Sequence, residues 1–115
     1  MSKKIGGYRD KTRFTATAST LTLRLYIEEP ASRVHVEAVS FRNQTSSGDL
    51  CTPGIEVGGY CYAAKSITMT TLLLWYHHHI DSCVFPGEAL RFDFTGLTVG
   101  DVIEVHAVGY IEYDE

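Results

Sequence analysis

The sequence predicts an all-β fold: a single-domain antiparallel β-sandwich or jelly roll of about seven to eight strands. Apolar residues recur at every second position in several segments, and clusters of Gly, Pro, Asn and Ser separate these segments. No stretch of ten residues or more has the i, i+3, i+4, i+7 apolar pattern of an amphipathic helix. The length of 115 residues suits one domain with one hydrophobic core.

The first half of the chain contains the clearest alternation, in residues 20–28. The apolar members of this segment are Leu21, Leu23, Leu25 and Ile27, which we expect to face the core. A second strand begins at Arg33 and changes phase near Ala38, so we predict a β-bulge there. Residues 43–49 have the composition of a polar loop.

The second half contains the longest apolar run of the chain. We expect residues 55–63 to form a weaker strand that the pair Gly58-Gly59 interrupts. We predict that residues 66–79 form either a central pair of strands or one long bent strand, with the run 72–76 buried on both faces. Residues 88–94 and 102–113 alternate again and complete the sandwich, and Gly109 would leave room for a bulky neighbour.

The ends and the cysteines indicate the compartment. No apolar segment follows the basic residues at the N-terminus, so we predict no signal peptide, and no run is long enough to span a membrane. Cys51, Cys61 and Cys83 are an odd number without a metal-binding spacing. Cys51 and Cys61 could flank a loop and pair, but in a reducing cytoplasm we expect buried thiols instead.

Charge is distributed unevenly along the chain. The first 13 residues contain five cations and one acidic residue, whereas the whole chain has a net charge of −4; the cations are Lys3, Lys4, Arg9, Lys11 and Arg13. We predict a basic arm at residues 1–13 that docks on an acidic partner, followed by a sandwich domain at residues 14–115. A solvated terminus is the alternative. The acidic remainder argues against nucleic-acid binding.

Three consecutive histidines follow the apolar run. On a strand, His77, His79 and Asp81 would project to one side, with the two imidazoles roughly 6–7 Å apart. That arrangement could bind a divalent metal, as in sites with two histidines and one carboxylate. Alternatively, these residues are exposed at a strand end or packed at a subunit contact.

The histidine pair carries a resemblance to the cupins, small β-barrels with an H-x-H pair, a following Glu and a later His as metal ligands. His77 and His79 match the pair, and residues 87–105 resemble the central hairpin of these barrels. Asp81 is the one acidic residue near the position of the family's Glu, and His106 lies within a predicted strand. The resemblance implies a metal-dependent function.

Aromatic residues are the other candidates for recognition. Trp75 and Tyr76 adjoin the histidines, and Tyr and Trp are enriched at protein interfaces. We therefore predict them as partner-binding residues, with packing in the core as the structural alternative. Outward-facing rings of this kind also stack on sugars, so a carbohydrate-binding module is a third hypothesis.

The segment PGEALRFDFTGLTVGDVIEVHAVGYI at residues 86–111 resembles the closing strands of small jelly-roll capsid decoration (cement) or head-fibre proteins of tailed bacteriophages. The resemblance implies a non-enzymatic virion protein that forms trimers and grips the major capsid protein through its N-terminal arm. Apolar residues on both faces of residues 72–76 and 102–113 also favour oligomerisation. We predict a structural protein of the virion surface, without catalytic residues, cofactor, nucleic-acid partner or membrane partner; a divalent metal at His77 and His79 is the alternative.

Overall fold

A computed structural model describes residues 3–27 and 33–114, with the side chains of residues 6–27 and 33–112. These residues contain nine β-strands. The strands are β1 (Lys3–Thr15), β2 (Leu21–Tyr26), β3 (Arg33–Asn43), β4 (Asp49–Val57), β5 (Tyr60–Ala63), β6 (Ile67–Met69), β7 (Tyr76–Val84), β8 (Ala89–Thr95) and β9 (Val102–Asp114). No helix of the described residues is long and apolar enough to cross a bilayer.

The strands form two antiparallel sheets. One has the order β1-β9-β3-β7, and the other has the order β2-β8-β4-β5, with β6 also paired to β4. The first strand thus pairs with the last, the second with the second-last and the third with the third-last. A long hairpin rolled over itself produces this order, which is the jelly-roll arrangement. The predicted all-β sandwich is confirmed.

The core lies between the inner faces of the sheets. Phe41 of β3 sits at its centre, with ring centroids 6.4 Å from those of Phe92 and Phe94 in β8. Leu23, Leu25 and Ile27 are buried as their alternation predicts. The three cysteines are free, and Cys51 alone is fully buried. The considered pairing of Cys51 with Cys61 is therefore absent from the structure.

The predicted bulge lies in β3. The register of β3 shifts between Val36 and Ala38 against both of its neighbours, β7 and β9. Gly109 of β9 pairs with Val36 at this point, and a Cβ atom on it would collide with the carbonyl oxygen of His35. The room that Gly109 leaves is therefore taken by the backbone of the bulge.

The prediction of a buried strand at residues 72–76 is wrong. Strand β6 ends at Met69, which pairs with the first residue of β4, Asp49, so β4 offers no partner to the residues that follow. Residues 70–75 form a loop, and strand β7 starts at Tyr76. Leu72, Leu73 and Leu74 are each about half exposed.

The predicted basic arm forms part of the sandwich. Strand β1 pairs with β9 along its whole length, so the expected boundary between residues 13 and 14 falls inside a strand. Polar residues at 10 and 12 face inward and hide the apolar alternation that would have indicated this strand. Residues 1 and 2 lie outside the described part of the chain.

The two ends of the sandwich differ. Four loops meet at one end, which we call the loop end: residues 16–20, 44–48, 70–75 and 96–101. The opposite end, the terminal end, contains the start of β1 and the finish of β9, where Lys3 pairs with Asp114. The molecule measures 50 × 26 × 22 Å.

Candidate partner-binding surface

The outer face of the four-stranded sheet collects side chains from distant parts of the sequence. Strand pairing places Lys11, His106, Ser40 and His77 side by side in one row across β1, β9, β3 and β7. Neighbouring rows begin with Arg9 and Arg13 on the same face of β1. Three of the cations predicted for partner binding thus belong to one sheet surface.

A cleft of about 310 Å³ lies on this face, near the loop end. We call it the Trp75 cleft; its lining residues are Arg9, Lys11, Trp75, Glu104, Val105 and His106. The indole of Trp75 lies 6.3 Å from the ring of His106, measured between centroids, and Arg42 stacks over it with Cζ at 4.6 Å. Arg42 also donates to Glu104 at 2.8 Å, so the guanidinium that contacts the indole is itself held in place.

The charge of this surface is positive along β1. Arg9, Lys11 and Arg13 are exposed, and no carboxylate in the described residues forms an ion pair with them. Arg13 donates to the amide oxygen of Gln44 at 3.2 Å. Burial, and then the nearby Arg9 and Lys11, lower the pKa of His106 below 6.5. These surroundings therefore favour the neutral form of His106, next to the cations of β1.

The residues predicted to bind metal lie on the same outer face, in β7: His77 belongs to the row of Lys11, and His79 and Asp81 lie farther along the strand. His77, His79 and Asp81 are exposed, and Ser40 Oγ lies 2.6 Å from His77 Nδ1. Asp81 has a left-handed backbone with φ of 47°, at the irregular part of the β3–β7 pairing. No three His, Cys, Asp or Glu side chains within the described ranges are grouped closely enough to hold a metal ion.

The other predicted partner-binding residues have different positions. Tyr76 faces inward, with its ring 6.4 Å from that of Phe41 and its hydroxyl accepting from the Thr71 amide at 2.9 Å. It therefore supports the loop before it. The side chains of Lys3 and Lys4 lie outside the described residues.

Sequence reasoning missed a buried polar cluster that ties the loop end together. Asn43 donates to Asp101 at 3.0 Å, while Ser46 and the Thr98 amide donate to the same carboxylate. Burial by itself would raise the pKa of Asp101, but these hydrogen bonds outweigh it, so the pKa is lowered. The carbonyl of Asn43 also accepts from the Leu73 amide at 3.1 Å. Nothing in the sequence pattern distinguishes these polar residues from those of an ordinary loop.

No known protein family and no curated protein matches the chain. Among solved structures, dimeric latent PorU from Porphyromonas gingivalis is similar over 94% of this chain, with a TM-score of 0.45 and 11% identity; this chain spans 13% of PorU. Infectious bursal disease virus chains of the Gt and Gx strains give TM-scores of 0.36 and 0.33, both at 11% identity. Those two matches take in 96% and 98% of this chain, and 42% and 41% of the viral chains.

Proposed function

We propose that the protein is a non-enzymatic structural component of a virus particle, a jelly-roll subunit that docks on an acidic protein surface through strand β1. The observation that carries the proposal is the set of three β1 cations, Arg9, Lys11 and Arg13, which form no ion pair with the described carboxylates and adjoin the Trp75 cleft. Arg and Trp are the residue types that most often dominate binding energy at protein interfaces.

The arrangement of the cations on a sheet supports docking of a macromolecule. The cations lie on a pleated sheet whose side chains point outward in rows, and the Trp75 cleft opens onto that sheet. Positive charge on such a face steers an acidic partner into contact and fixes its orientation. In detail, we propose a capsid decoration protein that forms a trimer and contacts the major capsid protein.

The experiment compares two charge reversals of the same kind. Lys11→Glu changes one of the three β1 cations, and Lys65→Glu changes an exposed lysine between β5 and β6 of the other sheet. Particles from the cells that naturally produce the chain would be sedimented and probed with an antibody against it. We expect the protein in the particle fraction, with Lys11→Glu reducing its occupancy at least tenfold and Lys65→Glu leaving it unchanged.

Two results would contradict the proposal. One is wild-type protein that stays entirely in the supernatant. The other is stoichiometric iron, zinc or manganese in the purified protein that disappears in the variant His77→Ala/His79→Ala, because this would favour the metal-dependent alternative.

A further inference from the structure

Three consecutive leucines protrude from the loop end. Leu72, Leu73 and Leu74, which we call the leucine loop, are 45%, 52% and 49% exposed. Residues 66–80 around them contain no Asp, Glu, Lys or Arg. A contiguous apolar, uncharged tip of this kind marks an interaction site on a small protein.

The leucine loop is held in a fixed shape. Leu73 has a φ of 63°, in the left-handed region that a leucine adopts only at a cost, so the surrounding contacts must impose it. Its amide donates to the Asn43 carbonyl at 3.1 Å, and the Tyr76 hydroxyl accepts from the Thr71 amide at 2.9 Å. A loop already fixed loses little conformational entropy when it binds.

The same molecule has an apolar cleft at another place. It lies between the sheets along their β5 and β7 edges and has a volume of about 280 Å³. We call it the seam cleft; its lining residues are Pro53, Gly54, Ile55, Tyr62, Ala63, Ala64, His78, Ile80 and Ser82. None of these is Asp, Glu, Lys or Arg. Because a cavity of about 150 Å³ admits benzene, this cleft has room for roughly one or two leucine side chains.

We propose that the leucine loop of one copy inserts into the seam cleft of a second copy. The charge pattern selects this occupant. Neither surface contains Asp, Glu, Lys or Arg, so the two match each other and lack the cations that an anionic membrane or the acidic partner of strand β1 would require. Charge depletion at the centre of the contact is the usual composition of a protein interface.

The geometry of the contact makes it a head-to-tail one. The loop and the cleft are different surfaces of the chain, so each copy inserts one loop and receives another. Such contacts close into rings when the rotation between neighbours permits. The contact is small, because three half-exposed leucines bury far less than the roughly 800 Å² per partner of a stable dimer. A ring compensates for this, since each of its members makes two such contacts.

This inference deepens the proposed function, since it supplies the contact of the oligomer, but its test needs only the purified chain. Leu73→Asp disables the loop, and Asp tolerates the left-handed backbone there better than Leu does. Ala64→Trp fills the half-buried seam cleft, and Ser82→Asp places a charge on its β7 side. Val99→Asp is the matched control, because Val99 is 69% exposed in another loop of the same end.

Native mass spectrometry would report the assembly, and thermal melts would confirm that each variant folds. We expect wild type and Val99→Asp to form the same closed oligomer. Leu73→Asp, Ala64→Trp and Ser82→Asp should each associate at least tenfold more weakly and be monomeric by mass. Mixing Leu73→Asp with Ala64→Trp restores one contact between an intact loop and an intact cleft. At high protein concentration the mixture should therefore form a one-to-one dimer, weaker than the closed oligomer, that neither variant forms alone.

Other outcomes overturn the inference. A monomeric wild type would do so, as would an unchanged oligomer in folded Leu73→Asp, or a mixture that stays monomeric. Leucine-dependent binding to vesicles of neutral or anionic lipid by a monomeric wild type would assign the loop to a membrane instead. Particle docking through Lys11 is a separate measurement, so either proposal can fail while the other stands.

Discussion

Asp49 is the least satisfied buried carboxylate of the described chain. Its side chain is 1% exposed, its Oδ1 atom accepts a long 3.4 Å hydrogen bond from Asn43, and its Oδ2 atom has no hydrogen-bond partner. Burial raises the pKa of this carboxyl above 3.8, and the nearby Asp101 raises it further. The ionised form therefore costs stability at neutral pH.

Replacement of Asp49 by Asn should stabilise the protein at neutral pH. The pKa of the Asp49 carboxyl is higher in the folded protein than in the unfolded chain. Wild-type stability therefore falls as pH rises from 3.8 through the folded pKa, and the destabilisation is complete above the folded pKa. The amide that replaces the carboxyl cannot ionise, and we expect a gain of about 1 kcal/mol at pH 7. Urea unfolding at pH 7 and at a pH below 3.8 measures this difference, which should vanish at the lower pH.

Asp81→Asn is the control for that experiment. It removes the same charge from an exposed side chain. Equal stabilisation of both variants at pH 7 would show that net charge, and not burial at Asp49, is responsible.

At the scale of the strand, the alternation of apolar residues predicts which face of a strand is buried, but it does not predict which strands pair. The inward residues of β2 and β8 and the bulge of β3 follow from apolar spacing alone, because each strand has one face against the core. Strand β1 escaped prediction because its inward face includes Asp10 and Thr12. The leucines at residues 72–74 were wrongly predicted to be buried in a strand, because hydropathy does not show whether another strand runs beside a segment.

The bulge of β3 depends on one glycine in the adjacent strand. Gly109→Ala would drive a methyl group into the His35 carbonyl and the backbone of Val36, so the sheet must shift. We expect a loss of about 3 kcal/mol in the free energy of unfolding, measured by urea denaturation.

Gly7→Ala is the matched variant in the neighbouring strand. A Cβ atom at Gly7 meets nothing within 4 Å, so the change should be within about 0.5 kcal/mol of wild type. Similar losses in both variants would mean that backbone entropy or strand propensity, not the close approach at the bulge, determines the effect.

For the whole molecule, the two proposed contacts should respond differently to salt. Raising ionic strength from about 0.1 M to about 1 M shortens the Debye length from roughly 10 Å to roughly 3 Å. Particle docking through the β1 cations should weaken at least tenfold, whereas the mass of the oligomer should stay the same because its contact contains no Asp, Glu, Lys or Arg. Sedimentation and native mass at both salt concentrations test this, and parallel losses would contradict the division of roles.

The sequence predicts individual residues of the partner-binding surface, but not how they come together. Arg9, Lys11 and Trp75 were each candidates from composition, yet residues 9 and 75 line one cleft only because β1, β9, β3 and β7 are neighbours in one sheet. His106 joins them through the pairing of Ser40 with both His106 and His77. Strand order in a sandwich depends on which hairpins roll together, and no local pattern encodes it.

The pairing of residue 3 with residue 114 has a practical consequence. Residues 3 and 114 are paired at the terminal end, while the leucine loop lies at the other end of a molecule 50 Å long. A peptide or fluorescent protein joined next to residue 3 or residue 114 would lie on the same side, away from the leucine loop. If the protein coats a particle as proposed, both fusions would share one rim of the subunit, which makes the chain a candidate scaffold for displaying paired cargo.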